Sequence, residues 1–167
     1  MALSNQLNPS ISFIDRLRLF SLVLLLAFSF GGFTFYAGVV IPIGSDVLDS
    51  TTQGFVTQKV TWTINVASVI SLAAMLWEGL AAGHFKTLRF KILIAIYVVS
   101  LLSLFVLHPR LGEYLSYEDF SVNDFDQFYS IHRIYLWIST IQWLSTPGLI
   151  WELLPNPQGA PTTSTNP

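Results

Sequence analysis

The run LFSLVLLLAFSFGGFTFYAGVVIPI, residues 19–43, decides the fold. No charged residue lies between Arg18 and Asp46, and the run exceeds the roughly 20 residues that a helix needs to cross the hydrocarbon core of a bilayer. A cleaved secretory signal peptide is the alternative, because Arg16 and Arg18 precede the apolar stretch. The run continues well beyond a signal-peptide core, which favours a retained membrane helix.

Three further uncharged runs follow and predict spans at about 60–82, 91–108 and 130–152. Backbone amides inside a bilayer must bond within their own segment or within a closed barrel, and these runs lack the alternation of barrel strands. Composition agrees, since 52% of the 167 residues are hydrophobic and 11% are charged, against about 25% charged in soluble domains. The sequence therefore predicts an all-α, integral membrane four-helix bundle.

The same pattern divides the chain into three parts. We expect residues 1–18 to form a cytoplasmic N-terminal segment and residues 19–152 to form the four-helix transmembrane domain, whose first span is at about 19–43. The tail, residues 153–167, is rich in proline, threonine, serine and asparagine, a composition typical of disorder. Within the outer segment at 109–129, Asp124 marks the expected start of the last helix, and the segment could fold over the bundle as a lid.

Lysine and arginine counts predict the orientation of the bundle. One side of the predicted membrane carries Arg16, Arg18, Lys86, Arg89 and Lys91, and the other carries Lys59, Arg110 and Arg133. Cytoplasmic loops of membrane proteins are enriched in these residues, so the first side is expected to face the cytoplasm. An even number of spans then places both termini there.

Composition and motifs exclude several function classes. The chain has no cysteine, which removes disulfides, thiolate metal sites and cysteine nucleophiles, and its net charge of -2 argues against a nucleic-acid partner. The hydrolase, zinc-protease and nucleotide-binding signatures GxSxG, HExxH, GxxxxGK[ST] and GxGxxG are missing. We therefore predict a multi-pass membrane protein with a non-enzymatic role, an accessory or oligomerising subunit whose partners are the bilayer, a second copy or another membrane protein.

Small and polar side chains recur at helical spacing inside the predicted spans, where they normally mediate helix packing. The first span carries a small-residue face, which we expect to pack within the bundle, a dimer interface being the alternative: Ala27, Gly31, Thr34 and Gly38. The second span carries a polar stripe that should face the bundle: Gln58, Thr61, Asn65 and Ser68. The fourth span offers Ser139, Gln142 and Ser145, which could meet that stripe.

Glu78 is the candidate intramembrane acid, because it interrupts the second uncharged run one turn before its end. A carboxylate inside a membrane is costly unless it is paired or does chemistry. We expect it to reach water or to pair with Lys86 or Arg89. Accepting a proton or a cation is the alternative.

His108 closes the third predicted helix and His132 opens the fourth, so both lie on the outer side. Together with Arg133, Asn65 and Gln142 they form the candidate polar or ligand site. We expect the histidines to be structural and predict no cofactor. The alternatives are a small-solute or metal-ion carrier, with copper or zinc held by His108 and His132, and a haem-binding membrane redox protein.

Short motifs resemble those of the transmembrane-protein-205-like family. They are Gly31, Gly32, Tyr36, Gly38 and Pro42 in the first span, residues 55–59 before the second, His108-Pro109-Arg110, and residues 128–135 with His132-Arg133. The resemblance covers about residues 19–151 and implies a four-helix membrane fold without a settled biochemical activity. Members typically carry an asparagine deeper in the last helix, where this chain has Gln142 and Trp143. A more distant resemblance to copper-resistance membrane domains lacks the expected first-helix histidine.

Overall fold

The computed structural model describes residues 12–119 and 121–154, and its fold is all-α apart from one very short hairpin. The first helix, α1 (Phe13–Phe35), passes through a single π-helical turn (Tyr36–Val40) into α2 (Ile41–Val47). The helix therefore extends beyond both ends of the predicted first span.

Pro42 gives a physical reason for the π-helical turn. Proline has no backbone N–H, and its ring clashes with the carbonyl four residues earlier in a regular α-helix. Widening the preceding turn relieves that crowding, and the amide of Ile41 bonds the carbonyl of Tyr36, five residues back. Tyr36 is buried there, and its hydroxyl donates to Thr57 Oγ1 at 2.9 Å. The segment therefore continues as one helical rod beside the next helix.

The second long helix, α3 (Ser50–Ala81), begins at a capping aspartate. Asp49 accepts hydrogen bonds from the backbone amides of Thr51 and Thr52 and from the Thr52 hydroxyl. These bonds hold the pKa of Asp49 below its usual value, the Thr52 hydroxyl contributing most. The helix ends before Gly83, whose φ of 75° is a left-handed conformation that glycine adopts without strain.

After a short 3-10 turn (His84–Lys86), α4 (Leu88–Glu113) leads to a hairpin of β1 (Leu115–Ser116) and β2 (Ser121–Val122), which pair antiparallel with Leu115 opposite Val122. The last helix, α5 (Phe125–Leu153), begins where it was predicted. Asp124 caps it by accepting from the amide of Gln127 at 3.0 Å.

Neighbouring long helices pack in chain order, α1 against α3, α3 against α4, and α4 against α5. The main apolar core lies toward the end where α3 finishes and α4 begins, around the fully buried side chains of Met75, Phe90 and Leu149. A smaller cluster of Leu104, Leu111 and Tyr135 lies toward the hairpin end. Packing is therefore closest at the two ends of the α4–α5 pair.

In the part of the chain that the structure describes, three helical segments are long and apolar enough to cross a membrane: Phe13–Val47, Ser50–Ala81 and Leu88–Glu113. Many of their aliphatic side chains point outward, for example Leu24, Val99 and Leu102, each more than half exposed. A water-soluble protein rarely exposes so large an apolar surface, which suits a chain whose solvent is lipid. The predicted tail from residue 155 onward and residues 1–11 lie outside the described residues.

Candidate functional site

A cleft opens at mid-height among all four long helices. Its cavity volume is about 30 Å³, room for one or two groups the size of a water molecule. Each of the four long helices contributes polar side chains to its walls. These side chains carry hydroxyls, carboxamides and one indole: Ser29, Thr61, Asn65, Ser68, Tyr97, Tyr135, Ser139, Gln142, Trp143 and Thr146. The polar stripe of α3 and the polar face of α5 therefore meet, as the sequence predicted.

Two tyrosines hold part of the cleft in place. Asn65 Nδ2 donates to the Tyr135 hydroxyl at 3.0 Å, which joins the middle of α3 to α5. The Tyr97 hydroxyl donates to the main-chain carbonyl of Ser68 at 3.3 Å, which joins α4 to α3. Asn65, Tyr97 and Tyr135 are each almost fully buried, so these bonds fix the three helices around the cleft.

Gln142 is the exception among the buried polar groups. Its side chain is 7% exposed and lies beside the Tyr97 hydroxyl, yet its Nε2 nitrogen makes no hydrogen bond within the described part of the chain. A buried donor that lacks an acceptor costs about 1–3 kcal/mol. The amide therefore presents an unused donor to the cleft, where an acceptor from a bound molecule can meet it.

Trp143 lines the cleft and contacts α1 from α5. Its ring stacks on Phe30 with centroids 5.5 Å apart and planes 10° from parallel, and its Nε1 donates to Thr34 Oγ1 at 2.9 Å. Phe30 and Phe33 complete the α1 wall. One indole ring therefore bridges the two helices beside the cleft.

Every residue that lines the cleft is uncharged at neutral pH. The lining contains aromatic rings, aliphatic groups, hydroxyls and amides, and no aspartate, glutamate, lysine, arginine or histidine. An ion held at this depth in a low-dielectric medium requires a counter-charge. The site suits a small neutral molecule that has a hydrogen-bond acceptor.

Glu78 lies away from the cleft and has a different partner from the one predicted. It is bound by Arg18 Nε in a short charge-assisted hydrogen bond, with 5% of the Glu78 side chain and 15% of the Arg18 side chain exposed. Arg18 also contacts Asp15 at 3.1 Å. The predicted pairing with Lys86 or Arg89 was therefore wrong, because the start of α1 lies beside the end of α3 and supplies the nearer cation.

His108 is occupied in a structural bond near the hairpin. Its Nε2 lies 2.9 Å from the Gln58 carbonyl oxygen, which can only accept, so Nε2 carries the hydrogen. Its ring packs on Trp62, and Tyr117 of the hairpin donates to the Gln58 side chain. Residues of the outer segment thus fold onto α3, and the Nε2 bond holds the His108 ring against that helix.

His132 lies about two helical turns from the start of α5 and stacks on Phe128, with centroids 5.7 Å apart. Arg133, the residue after it, is exposed. Neither His108 nor His132 lines the cleft. Of the predicted ligand set, Asn65 and Gln142 come together and the two histidines and Arg133 do not join them. Within residues 12–119 and 121–154, no group of three or more potential metal ligands forms, so no geometry supports the metal alternative.

The small-residue face of α1 is largely uncovered. Ala27, Thr34 and Gly38 are exposed, Gly31 is half-buried, and a methyl group added at Gly31 or Gly38 would meet no atom within 4 Å. Apart from Thr34, which accepts the Trp143 hydrogen bond from α5, this face lacks the close packing inside the bundle that the sequence predicted, because α3 lies against a different side of α1. The dimer alternative stays a prediction.

Half of the polar lining residues were not singled out as site residues from the sequence: Tyr97, Tyr135, Trp143, Ser29 and Thr146. The tyrosines occupy positions that an apolar residue would fill in an ordinary packing face, and their hydroxyls find partners only on another helix. A polar tip on a mid-span residue is the signal that could have found them, since lipid offers no partner for it.

No protein-family model, curated protein or solved structure matches this chain. The resemblance to the transmembrane-protein-205-like family therefore stays a prediction. The cleft has to be interpreted from its own chemistry.

Proposed function

We propose that this chain is a four-span membrane protein, with both termini in the cytoplasm, that binds a small uncharged molecule in the cleft at mid-membrane depth. Its role is binding or carriage, without catalysis. The observation that carries the proposal is the Gln142 side chain, which is buried, lines the cleft and has no acceptor for its Nε2 donor among the described residues.

The dimensions and packing of α5 support its assignment as a fourth span. Its 29 residues reach about 44 Å at 1.5 Å per residue, more than the roughly 30 Å of a hydrocarbon core. Its buried polar residues, including Ser139, Gln142 and Ser145, lower its average hydropathy but face the other helices. Trp137 and Leu144, on other sides of the helix, are exposed.

The Arg18–Glu78 pair supports the common location of the basic segments. It joins the beginning of α1 to the end of α3, so the N-terminal arginines and the basic turn after α3 lie at one end of the bundle. The excess of lysine and arginine at that end favours the cytoplasmic side.

The first experiment asks whether a small neutral molecule reaches the cleft. The native chain has no cysteine, so a single introduced cysteine is the sole thiol. Ser139 and Ser145 are both buried on α5, and Ser139 lines the cleft whereas Ser145 does not. We expect N-ethylmaleimide to alkylate a Ser139→Cys variant in lipid nanodiscs much faster than a Ser145→Cys variant. Equal, negligible alkylation of both would contradict the proposal.

A second experiment maps the topology with a membrane-impermeant maleimide on intact cells. Asp126, Lys86 and Leu154 are all exposed and lie at the start of α5, in the turn after α3 and at the end of α5. We expect labelling of Asp126→Cys in intact cells, and labelling of Lys86→Cys and Leu154→Cys only after permeabilisation. Labelling of Leu154→Cys on the same side as Asp126→Cys would remove the fourth span.

A further inference from the structure

We infer that the cleft binds one or two water molecules, which bridge Gln142 on α5 to Asn65 on α3 and Tyr97 on α4. This inference rests on the proposed function and names its small uncharged molecule as water. It draws on the volume of the cleft, the unpaired donor of Gln142 and the acceptors that line the same space.

The volume of the cleft limits the size of what it binds. The space is about 30 Å³, and a buried water needs about 10–15 Å³. One or two waters therefore fit, whereas a ring or an acyl chain does not. A buried water also needs about two to four polar partners, which an apolar cavity does not offer. The cleft has to supply those partners from its lining.

Gln142 supplies the donor. Its side chain is 7% exposed, and its Nε2 bonds no described residue. A buried donor without an acceptor is costly, so a molecule that accepts from it is favoured in the cleft. The oxygen of water is such an acceptor, whereas an apolar gas of similar size, such as dioxygen, accepts too weakly.

Asn65 and Tyr97 supply acceptors for the hydrogens of the water. The Asn65 Nδ2 donates to Tyr135, and Asn65 Oδ1 takes no bond from a described residue. The Tyr97 hydroxyl donates to the Ser68 carbonyl, and its oxygen keeps lone pairs that accept. Asn65 and Tyr97 are 3% and 2% exposed and line the same space as Gln142. Water donates and accepts at once, so it serves all three side chains.

The bridge adds the link that the direct hydrogen bonds of the cleft do not make. Those bonds join α3 to α5 and α4 to α3. A water held by Gln142 and Tyr97 joins α4 to α5 and closes a ring of polar contacts at mid-height. The bridge contributes little net stability, because immobilising a water costs entropy that offsets part of its hydrogen bonding.

The test detects water at Gln142 by proton-detected solid-state NMR of the full chain in lipid bilayers. Magnetisation that starts on water is transferred to amide hydrogens, at a mildly acidic pH where these hydrogens exchange slowly. We expect several-fold more transfer to the Gln142 side-chain amide than to the backbone amide of Met75, which is fully buried in the apolar core. Gln127, exposed on the same helix, gives the signal of a hydrated amide. A Gln142 signal as weak as that of Met75 would overturn the inference.

Two buried serines of α5 provide matched variants. Ser139 lines the cleft and donates to the Tyr135 carbonyl. Ser145 does not line the cleft and donates to the Gln142 carbonyl. Valine replaces the hydroxyl by two methyl groups at either position, but only at residue 139 does the added group take volume from the cleft.

We expect Ser139→Val to lose most of the transfer to Gln142 and Ser145→Val to keep it. Loss in both variants, or in neither, would mean that the signal comes from water outside the cleft and would overturn the inference. The comparison of Gln142 with Met75 in the wild type needs no variant, so it holds even if Ser139→Val does not fold.

The outcome is separable from that of the proposed function. Alkylation of Ser139→Cys without transfer to Gln142 would overturn the inference and leave a cleft that takes some other neutral molecule. Transfer to Gln142 without alkylation of Ser139→Cys would support the water as a fixed part of the bundle and contradict the carrier role.

Discussion

Helix α3 has buried polar groups at two levels along its axis, one near its end and one near its middle. The two levels differ in how fully their polar groups are hydrogen-bonded. Toward its end, Ser71 Oγ lies 2.8 Å from Ser29 Oγ and 3.1 Å from the Leu25 carbonyl, and Glu78 is paired with Arg18. Toward its middle, Asn65 is paired with Tyr135, yet the facing Gln142 keeps a donor without an acceptor. The polar groups near the end hold two helices together, and those at mid-height border an open space.

The difference teaches how to interpret polar residues inside a membrane helix. Polar side chains there either join helices or serve a ligand, and residue type alone does not separate the two roles. Pairing helps to separate them, because a group already bonded inside the bundle has less hydrogen-bonding capacity left for a ligand. By that criterion Glu78, the costliest residue in the spans, is structural, and Gln142 is the functional candidate.

The level near the end of α3, where Glu78 and Ser71 are paired, is called the paired level. The largest loss of stability expected there comes from Arg18→Gln. It leaves the Glu78 carboxylate buried without its cation, and breaking a buried ion pair by removing one partner typically costs 3–5 kcal/mol. We expect a loss of about 3 kcal/mol in the free energy of unfolding, measured by detergent-induced unfolding in mixed micelles. Arg16→Gln is the matched control, since Arg16 is exposed. Equal stability of the two variants would mean that the Arg18–Glu78 pair does not stabilise the packing of α1 against α3.

Gly79 tests how closely the paired level is packed. A methyl group added there would lie 2.5 Å from Phe90 Cζ, and Phe90 is fully buried with no space to move. Overpacking of this kind costs about 1–3 kcal/mol, so Gly79→Ala should lose about 2 kcal/mol. The control is Gly54→Ala in the same helix, where nothing lies within 4 Å and alanine should stabilise by about 0.5–1 kcal/mol. If both substitutions changed the free energy of unfolding in the same direction, the difference in packing between the two glycines would be contradicted.

Asn65 and Gln142 provide a direct comparison of a paired and an unpaired amide. Asn65→Leu removes the donor to Tyr135, and membrane hydrogen bonds of this type contribute about 1 kcal/mol. We expect Asn65→Leu to lower the free energy of unfolding by about that amount and Gln142→Met to leave it unchanged or raise it. Thermal unfolding in nanodiscs measures both. A larger loss for Gln142→Met than for Asn65→Leu would show that Gln142 is a structural residue.

The sequence was a good guide wherever one helix determines the outcome. Uncharged runs predicted the long helices, Asp124 marked the start of α5, and the spacing of Asn65 and Ser68 predicted a face turned into the bundle. These features depend on neighbours within one or two turns. Helical periodicity is therefore sufficient to find them.

It was a poor guide wherever two helices have to meet. Glu78 was assigned a partner close in sequence, but sixty residues separate it from Arg18, and only the packing of α1 on α3 brings them together. The same holds for Gly31 and Gly38, whose spacing is that of a packing face but whose position around the α1 axis leaves open space beside them. Spacing fixes which residues share a face, and it does not fix which neighbour that face meets.

The smallest expected effect is a pH dependence at the start of α3, outside both polar levels. The folded-state pKa of Asp49 lies below its usual value because Thr52 and Thr51 bond the carboxylate. Its stabilisation of the helix end is therefore complete above about pH 4, the unfolded value, and is lost as pH falls through the lower folded value. Hydrogen exchange at the amides of Thr51 and Thr52 reports this end alone.

An Asp49→Asn variant gives the reference at each pH, because asparagine caps a helix about equally well but does not titrate. We expect protection of the two amides in the wild type, relative to Asp49→Asn, to decline on acidification, while amides around Asn65 change equally in both proteins. A decline that extends to Asn65 would mean that the cap and the cleft unfold as one unit. The part of α3 beside the cleft would then be no more stable against local unfolding than the start of the helix.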